Sequence, residues 1–439
     1  MTAVDLPRGT GPGQVWPAPA ATGPLDATVE VPGSKSLTNR FLVLAAMADA
    51  PVTIRGGLTS RDSELMIAAL RALGQEVDAS GEAWTVTPAP VRGGVDVFCG
   101  LAGTVMRFVP PLVLLADGPV SFDGDPEARV RPMGPLLDAL RALGATVEDE
   151  GRGTLPFTVT PPASIPAEVD VDSSASSQFV TGLLLVAARL PHGLTVRHTG
   201  ERLPSLPHID MTCETLRQAG VRVDQPDERT WVVHPGPLSL GEVRVEPDLS
   251  NAGPFIAAPL VAGGTVRILG WPAQTTQPGA LFPQILERMG ATCTLEDDVL
   301  TVSAPGLVGG DIRGVDADLS PAGEITPTIA ALCALASSPS VIRGIGHLRG
   351  HETDRLAAIA TEVERVGGRC VADDDSLTFA GRPEAGLTAA AMESYHDHRM
   401  ATFAAIVGLA VPGTEVVHVG TTAKTMPDFP AMWTGMLGA

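Results

Sequence analysis

Apolar and polar positions along the chain follow a repeat of roughly seventy residues. A segment with apolar residues at helical spacing ends in a glycine six times, in the form "LRALG" or a close variant. These glycines are Gly74, Gly144, Gly220, Gly290, Gly367 and, in a weaker copy, Gly438, at intervals of 70 to 77 residues. Because glycine readily adopts the left-handed conformation that ends helices, we predict an amphipathic helix before each glycine and a short strand after it.

Upstream of each such helix lies a second helical segment that is apolar on nearly every face but begins with small or polar residues. The six segments are "GSKSLTNRFLVLAA", "GLAGTVMRFVPPLVLLA", "DSSASSQFVTGLLLVAA", "DLSNAGPFIAAPLVA", "EITPTIAALCALA" and "YHDHRMATFAAIVGLA". A helix without a polar face must be buried. One repeat cannot cover it alone, so repeats must pack together. The pattern predicts an α/β (α+β) fold with two domains of three repeats each.

The length of the chain favours two closed domains over an open solenoid. Single hydrophobic cores usually stop growing at about 250–300 residues, and this chain has 439. Solenoid repeats usually span about 20–45 residues, which is shorter than the repeats found here. Buried helices packed in parallel would present their N-termini, with free N–H groups and partial positive charge, on one face. We therefore expect an anion-binding site at that face.

Charge and cysteine usage exclude several classes of protein. The formal net charge of −20 argues against nucleic-acid binding, which needs a broad basic face. Five scattered cysteines without Cys-x-x-Cys spacing indicate a reduced, cytoplasmic protein rather than a disulfide or zinc framework. We interpret residues 1–24 as a loose leader rather than a secretory signal. No apolar run reaches the roughly 18–20 residues of a membrane span, so no membrane partner is expected.

The first apolar segment opens with candidate anion ligands. Lys35 and Arg40 lie at and just inside the predicted helix start, and Ser36 adds a hydroxyl, so a phosphate or carboxylate would receive charge-assisted hydrogen bonds. The stretch is not a P-loop, because that motif needs glycine directly before the lysine and Ser34 is there instead. Helix capping with solvated charges is the alternative. The third segment, "DSSASSQF", offers four serines and Gln178, which exceeds what one cap can use.

Two stretches in the second half combine histidine, carboxylate and arginine side chains. "HLRGHETDRL" contains Glu352 and Arg355, and "YHDHRM" contains Arg399. A metal site is one interpretation, but no cysteine or histidine cluster completes either stretch, and an arginine in each favours an anion. Glu352 is the best candidate for a general acid or base because Arg355 lies one helical turn away. A surface ion pair is the alternative.

Seven motifs together carry a resemblance to a known family. In chain order they are "PGSKSLTNR", "GLAGTVMR", "RPM", "DVDSSASSQF", "HETDRL", "YHDHRMA" and "AKTMPDFP". They resemble the motifs of 5-enolpyruvylshikimate-3-phosphate synthases over nearly the whole chain after about Pro24. The resemblance implies two domains of three βαβαββ-like units, with buried parallel helices, outer sheets and an active site in the interdomain cleft. The implied boundaries are 25–32 plus 251–439 for the first domain and 33–250 for the second.

The resemblance also implies a reaction and the residues that carry it. The family transfers the enolpyruvyl group of phosphoenolpyruvate to the 5-hydroxyl of shikimate 3-phosphate through a tetrahedral intermediate, releasing phosphate without metal or organic cofactor. The implied catalytic residues are Glu324, Glu352 and Lys424. The implied ligands of shikimate 3-phosphate are Lys35, Ser36, Arg40, Ser176, Ser177, Gln178, Ser205, Glu324 and His351. The implied ligands of phosphoenolpyruvate are Lys35, Gly103, Arg131, Gln178, Arg355, Arg399 and Lys424. We expect a monomer.

Three residues depart from the family pattern. Glu324 stands where an aspartate is usual, His351 where a lysine is usual, and Leu101 where an asparagine is usual. His351 can still donate to a phosphate, but its charge would vary around neutral pH. Leu101 removes a side-chain donor, so backbone N–H groups or Arg131 must serve in its place.

Two other functions stay open at this point. UDP-N-acetylglucosamine enolpyruvyl transferases have the same general fold but use a loop cysteine, and residues 124–132 here contain none. A binding protein without catalytic activity would keep the basic groups but need neither Glu324 nor Glu352. Phosphate release that requires both substrates would separate these possibilities from the synthase reaction.

Overall fold

The computed structural model of this protein describes residues 15–350 and 352–438. Internal contacts divide these residues into two units. The central unit is Pro32–Asp248, and the terminal unit combines the described residues up to Val31 with those from Leu249 onward. Each unit has a hydrophobic core of its own. The domain boundaries given from the sequence stay a prediction.

Thirteen α-helices lie within the described residues. In chain order they are α1 (Lys35–Ala46), α2 (Arg61–Ala72), α3 (Gly103–Phe108), α4 (Gly134–Ala142), α5 (Gln178–Ala187), α6 (Leu206–Gln218), α7 (Leu249–Ala262), α8 (Phe282–Met289), α9 (Gly306–Gly309), α10 (Thr326–Leu335), α11 (Arg355–Arg365), α12 (His398–Ala410) and α13 (Phe429–Met436). Short 3₁₀ turns occur at Pro110–Leu115, Pro278–Leu281, Gly323–Ile325, Gly346–Gly350 and Val419–Lys424. In the part of the chain described, no helix combines the length and the apolar character needed to cross a membrane.

Twenty-three strands accompany these helices in the same described ranges. They are β1 (Val15–Pro17), β2 (Leu25–Val29), β3 (Val52–Arg55), β4 (Glu76–Asp78), β5 (Ala83–Thr87), β6 (Val95–Phe98), β7 (Val120–Asp123), β8 (Thr146–Glu148), β9 (Phe157–Thr160), β10 (Glu168–Val171), β11 (Leu194–His198), β12 (Val223–Asp227), β13 (Thr230–Val233), β14 (Glu242–Arg244), β15 (Gly264–Leu269), β16 (Thr292–Glu296), β17 (Val299–Ala304), β18 (Asp316–Asp318), β19 (Ser340–Arg343), β20 (Cys370–Ala372), β21 (Ser376–Phe379), β22 (Ala391–Glu393) and β23 (Glu415–Val417).

The strands form six small sheets that repeat one topology. In the sheet β6-β7-β9-β8 the first two strands are parallel and the other pairs are antiparallel. The sheets β10-β11-β13-β12 and β18-β19-β21-β20 have the same order. Three sheets take a strand from a distant part of the chain: β14 joins β3, β5 and β4; β2 joins β15, β17 and β16; and β1 joins β23 and β22. The α/β fold with repeated units, expected from the sequence, is confirmed.

The six helix-ending glycines predicted from the sequence lie within two residues of the ends of α2, α4, α6, α8, α11 and α13. All six have positive φ, from 70° at Gly438 to 119° at Gly290. A side chain would be strained in this left-handed conformation, whereas glycine adopts it freely. The prediction of these helix ends is therefore confirmed.

The predicted apolar segments form the buried helices of each unit. Helices α1, α5, α7, α10 and α12 are buried along nearly their whole length. The second segment differs from the prediction of one continuous helix, because α3 ends at Phe108 and a 3₁₀ turn follows at Pro110–Leu115. Pro110 and Pro111 lack the N–H groups that would continue the α-helical hydrogen bonds.

The prediction of a loose leader over residues 1–24 is wrong for the part that the structure describes. Val15–Pro17 pairs antiparallel with β23, and the Trp16 ring lies edge-on to Phe429 at 6.1 Å between centroids. The Ala18 N–H donates to the Thr414 carbonyl at 3.0 Å, and Ala18 is buried. A free sheet edge and an apolar surface thus order a segment whose composition suggested a leader. Residues 1–14 lie outside the described residues.

Candidate active site

Helix α1 of the central unit begins at the candidate ligand Lys35. The Ser34 hydroxyl caps the helix by accepting a hydrogen bond from the Leu37 N–H at 3.4 Å. The Lys35 ammonium lies 3.3 Å from the Asp62 carboxylate of α2, with the two side chains 19% and 6% exposed. An acidic neighbour therefore orients Lys35 at the helix start while its side chain stays accessible to a ligand.

Arg40 lies one turn further along α1 and is enclosed by protein. Its guanidinium donates to the carbonyl oxygens of Ser36 at 2.9 Å and His208 at 2.8 Å, and to the Thr212 hydroxyl at 2.8 Å. It also lies over the Phe108 ring, 5.3 Å from the centroid. Arg40 thus joins α1 to α6 and supports the turn that carries Ser36, whose side chain is half-buried.

Gly103 begins α3, and the Arg131 guanidinium lies against it. Arg131 donates to the Leu101 carbonyl at 3.2 Å. A Cβ at Gly103 would lie 3.3 Å from the two terminal nitrogens of Arg131 and 3.2 Å from one of Arg107. The Leu101 side chain packs against the hydrophobic core, so this residue contacts Arg131 through its backbone. Helix α3 is linked to α1 by the Asn39 amide, which donates to the Thr104 hydroxyl at 3.0 Å.

A buried histidine supports the serine-rich loop before α5. The Ser173 N–H donates to Nδ1 of His198 at 3.1 Å, which places the ring proton on Nε2. Burial lowers the pKa of His198, and the charge of Arg229 lowers it further. The imidazole is thus favoured in its neutral form, which can accept the loop N–H.

The candidate ligands of this loop lie at its C-terminal end. Ser177 precedes α5 and is buried, while Ser176 and Gln178 are half-buried. The Ser176 hydroxyl accepts from the Gln178 N–H at 3.3 Å. Ser205 immediately precedes α6 in a left-handed conformation, with φ of 55°. Hydroxyl and amide groups therefore lie at the starts of α5 and α6, and Lys35 lies at the start of α1.

Four charged side chains of the terminal unit form a continuous network. One Glu352 oxygen lies 3.0 Å from the Arg355 guanidinium, and the other contacts the Lys424 ammonium directly. Arg355 donates to the two Asp397 oxygens at 2.7 and 3.3 Å. Arg355 and Asp397 are 2% and 0% exposed, whereas Glu352 and Lys424 are 15% and 16% exposed. The inner pair supports the network, and the outer pair is accessible to a ligand.

Glu324 belongs to the same electrostatic environment. Burial alone would lower the pKa of Arg355, but Asp397 and Glu352 raise it above its usual value, and Glu324 adds to the rise. Glu324 lies in the 3₁₀ turn before α10 and accepts a hydrogen bond from the Ser250 hydroxyl at 2.9 Å. The two carboxylates implied in catalysis, Glu324 and Glu352, thus both act on one guanidinium.

Helix α12 presents Arg399 in its first turn. The Asp397 side chain caps this helix by accepting from the Arg399 N–H at 2.9 Å, and the Arg399 side chain is half-buried. The same aspartate therefore holds Arg355 and fixes the start of the helix that carries Arg399. His351, which the resemblance implies as a ligand, lies outside the described residues.

The partners that hold these charged groups were not predicted from the sequence. Asp397 could have been found from its position directly before a helix start, where aspartate is favoured as a cap. Asp62 and Ser250 gave no local signal, because they contact residues 27 and 74 positions away. These contacts appear only when the chain is folded.

Thiol groups show no sign of a role in these clusters. All five cysteines are free, and burial raises the pKa of the thiols of Cys99, Cys213, Cys293, Cys333 and Cys370 to about 12. Across residues 15–350 and 352–438, no group of three or more histidine, cysteine, aspartate or glutamate side chains is placed to hold a metal ion.

Comparisons with known proteins show the family to which the chain belongs. The family model described as EPSP synthase (3-phosphoshikimate 1-carboxyvinyltransferase) matches residues 19–433. A 3-phosphoshikimate 1-carboxyvinyltransferase of Bifidobacterium longum is 53% identical, over 96% of this chain and 98% of that protein. A protein of the same name from Kocuria rhizophila is also 53% identical, over 97% of each chain.

Solved structures share the fold. The EPSP synthase of Acinetobacter baumannii matches with a TM-score of 0.81 and 22% identity, over 97% of this chain and 98% of that one. The enolpyruvyl transferase NikO of Streptomyces tendae matches with a TM-score of 0.74 and 23% identity, over 97% and 98%. The fold is thus that of the enolpyruvyl transferase class. Within it, the chain belongs to the EPSP synthase family, as its motifs suggested.

Proposed function

We propose that this chain transfers the enolpyruvyl group of phosphoenolpyruvate to the 5-hydroxyl of shikimate 3-phosphate and releases phosphate, as its family name describes. The observation that carries the proposal is the network of Glu352, Arg355, Lys424 and Asp397. It combines fixed cations, which an anionic substrate needs, with carboxylates that can move protons. The buried Asp397 only holds Arg355, but a site that only bound anions would not require a second, partly exposed carboxylate such as Glu352 beside its cations.

Phosphoenolpyruvate carries a phosphate and a carboxylate, so its site needs several fixed cations. In the terminal unit, we assign this role to Arg355, Arg399 and Lys424. Arg355 is preorganised by Asp397, and planar guanidinium groups bind both kinds of anion through paired hydrogen bonds. In the central unit we assign Arg131 and Gly103, with Lys35 and Gln178 as further ligands.

Shikimate 3-phosphate presents hydroxyls and a phosphate, and its proposed ligands lie at helix starts of the central unit. Lys35 and Ser36 begin α1, Ser176 and Ser177 precede α5, Gln178 begins it, and Ser205 precedes α6. Helix N-termini offer N–H groups and partial positive charge to a phosphate. We also assign Arg40 as a ligand, and its contacts with Ser36 and α6 fix its position. From the terminal unit we assign Glu324, and His351 completes the set.

The reaction requires proton transfer in both of its halves. First the 5-hydroxyl adds to C2 of phosphoenolpyruvate and loses its proton, while C3 gains one. Then C3 loses a proton and the bond from C2 to the phosphate oxygen breaks. We assign the hydroxyl proton to Glu324, which accepts a hydrogen bond from Ser250. Glu352 and Lys424, in direct contact, serve as the acid and base at C3.

Phosphate release tests the reaction. Released phosphate is measured with shikimate 3-phosphate and phosphoenolpyruvate together and with each alone, and it should appear only with the pair. Release from phosphoenolpyruvate with UDP-N-acetylglucosamine instead would assign the chain to the related transferases. Binding of the two substrates without any release would assign it to the binding proteins.

Replacing Glu352 tests the assigned proton transfer. Glu352→Gln keeps the size and hydrogen-bonding capacity of the side chain but cannot carry a proton. We expect turnover to fall at least about a hundredfold, while calorimetric binding of shikimate 3-phosphate stays near normal. Glu364→Gln, at an exposed position of α11, is the matched control. Equal turnover in the two variants would remove Glu352 from the mechanism.

We also propose that the enzyme acts in the cytoplasm as a monomer. The free state of all five cysteines supports a reducing compartment. Light scattering across a range of protein concentrations would test the monomer, and a mass of twice 45.3 kDa would contradict it.

A further inference from the structure

The two residues before Asp397 have an unusual backbone conformation. Tyr395 and His396 have φ of 53° and 55°, in the left-handed region that side chains rarely adopt. The turn is closed by the Asp397 N–H, which donates to the Ser394 carbonyl at 2.8 Å. Two consecutive residues in this conformation persist only when surrounding contacts hold them. Because the turn leads directly into α12, its geometry sets where Asp397 and Arg399 lie.

Glu362, near the end of α11, holds this turn. The Tyr395 hydroxyl donates to one Glu362 oxygen at 2.7 Å, and the Glu393 N–H donates to the other at 3.1 Å. Arg365 lies 2.9 Å from that second oxygen. The Glu362 side chain is 0% exposed. A buried carboxylate is costly to leave without donors, so it strongly favours the conformation that supplies them.

Helix α11 therefore contacts this segment at two points. Arg355 and Glu362 are seven residues, or about two turns, apart and lie on the same face of the helix. Arg355 donates to Asp397 after the turn, whereas Glu362 accepts from Tyr395 within it and from Glu393 before it. One point supplies a cation and the other an anion. Sliding of the segment along α11 would break both, so the two points together fix its register.

We infer that the hydrogen bond between Tyr395 and Glu362 positions Asp397 and Arg399 for phosphoenolpyruvate binding, by holding the left-handed turn that directly precedes Asp397. The inference rests on the proposed function, in which Arg355 and Arg399 bind phosphoenolpyruvate. Tyr395 is a positioning residue, because it acts through the turn. The family resemblance assigned no role to Tyr395 or Glu362, and the contact between them gives them one.

Tyr395→Phe tests the inference, since it removes the hydroxyl and keeps the ring. We expect the KM for phosphoenolpyruvate to rise about five- to thirtyfold, while the KM for shikimate 3-phosphate stays within about twofold. Arg365→Gln is the matched control, because it removes a cation that interacts with both Glu362 and the Tyr395 hydroxyl but leaves those two groups in place. It should lower the melting temperature without changing either KM at a temperature well below unfolding.

Two results would overturn the inference. In one, Tyr395→Phe lowers only the melting temperature. In the other, Arg365→Gln raises the KM for phosphoenolpyruvate as much as Tyr395→Phe does. The effect would then come from the loss of any partner of Glu362 and not from the Tyr395 hydroxyl. Arg399→Gln is measured alongside: an unchanged KM for phosphoenolpyruvate there contradicts the proposed binding site and this inference with it. If the KM for phosphoenolpyruvate rises in Arg399→Gln but not in Tyr395→Phe, the proposed binding site stands and only this inference is contradicted.

The wild-type protein offers a second readout, because Tyr395 is the only tyrosine in the sequence. Burial, followed by the contact with Glu362, raises the pKa of Tyr395 to about 12. Ultraviolet titration of the native protein should therefore show phenolate only well above pH 10. Ionisation at the usual value near pH 10 would show that the hydroxyl does not contact Glu362 and would also overturn the inference.

Discussion

The cationic side chains proposed to bind substrate include three with acidic neighbours. Lys35 lies 3.3 Å from Asp62, Arg355 is bonded to Asp397, and Lys424 contacts Glu352. In a chain of net charge −20, these neighbours hold the cations in defined positions. An arriving anion therefore meets groups that are already oriented, which reduces the entropy lost on binding.

At the residue scale, the neutral His198 predicts a loss of stability in mild acid. Burial lowers its pKa below the usual value of 6.5, so below about pH 6.5 the unfolded chain binds a proton that the folded chain does not. Stability should therefore fall as the pH falls from 6.5 towards the lowered pKa. His198→Asn keeps an acceptor for the Ser173 N–H. Between pH 7.5 and pH 5.5, we expect the melting temperature of this variant to fall about 2–4 °C less than that of the wild type.

Scanning calorimetry at the two pH values checks this expectation. His192→Asn is the control, because His192 lies exposed in the same unit. Burial also lowers the pKa of His347, so His198→Asn should reduce the acid sensitivity without removing it. An identical pH dependence in wild type and His198→Asn would show that other groups account for it.

The resemblance supplied the cations of the candidate site but not what holds them. Lys35, Arg355 and Lys424 lie in recognisable motifs, so sequence alone could nominate them. Their exposure and their distances depend on residues far away in the chain, such as Asp62 on a different helix. No local pattern encodes a contact of that kind, and only the folded structure shows it.

At the element scale, the start of α3 predicts a selective effect of one added methyl group. A Cβ at Gly103 would lie 3.2–3.3 Å from the guanidinium nitrogens of Arg107 and Arg131, closer than most such contacts, so Arg131 must move. We expect Gly103→Ala to raise the KM for phosphoenolpyruvate about three- to tenfold and to leave the KM for shikimate 3-phosphate nearly unchanged.

Steady-state kinetics with each substrate varied in turn would measure both constants. Gly134→Ala is the matched control, since Gly134 begins α4 just as Gly103 begins α3, and a Cβ there meets no atom within 4 Å. If Gly103→Ala resembled this control, Arg131 would have no part in binding phosphoenolpyruvate.

Helix ends were predictable where one residue decides them locally. The glycines after α2 and α11 stop their helices because only glycine adopts the required φ readily. Proline gave a less reliable signal. The α-helix ends before Pro110, yet α7 continues through Pro254 and Pro259. Because α7 is buried along nearly its whole length, tertiary packing can offset the lost hydrogen bonds there, and the sequence alone does not state that packing.

At the scale of the whole molecule, distant strands complete the repeats. Strand β1 pairs with β23, and Trp16 packs against Phe429. Removing residues 1–20 would expose the edge of β23. We expect the free energy of unfolding of the chain without residues 1–20 to be about 2 kcal/mol lower than that of a chain that lacks only residues 1–14. Hydrogen exchange should rise in β22 and β23 but not in β6–β9 of the central unit.

Comparing the two shortened chains isolates the contribution of residues 15–20. Equal hydrogen exchange at β22 and β23 in both would contradict a stabilising role for β1. The sequence predicted the number of repeats, because each carries its own helices and glycine. The family resemblance placed residues 25–32, which contain β2, with residues 251–439. The sequence did not predict which strands β1, β2 and β14 pair with, since these strands are short and resemble any other strand locally.

The central unit begins and ends at the same place. Gly33 forms a bridge with Pro247, the Asp248 N–H donates to the Pro32 carbonyl at 2.9 Å, and the Ser34 N–H donates to the Glu246 carbonyl at 2.8 Å. A segment with its two ends side by side can be inserted into another chain without stretching either host end. The same geometry should allow the central unit to be inserted into a loop of another protein. It should also allow circular permutation of this unit, with Pro32 and Asp248 joined by a short linker.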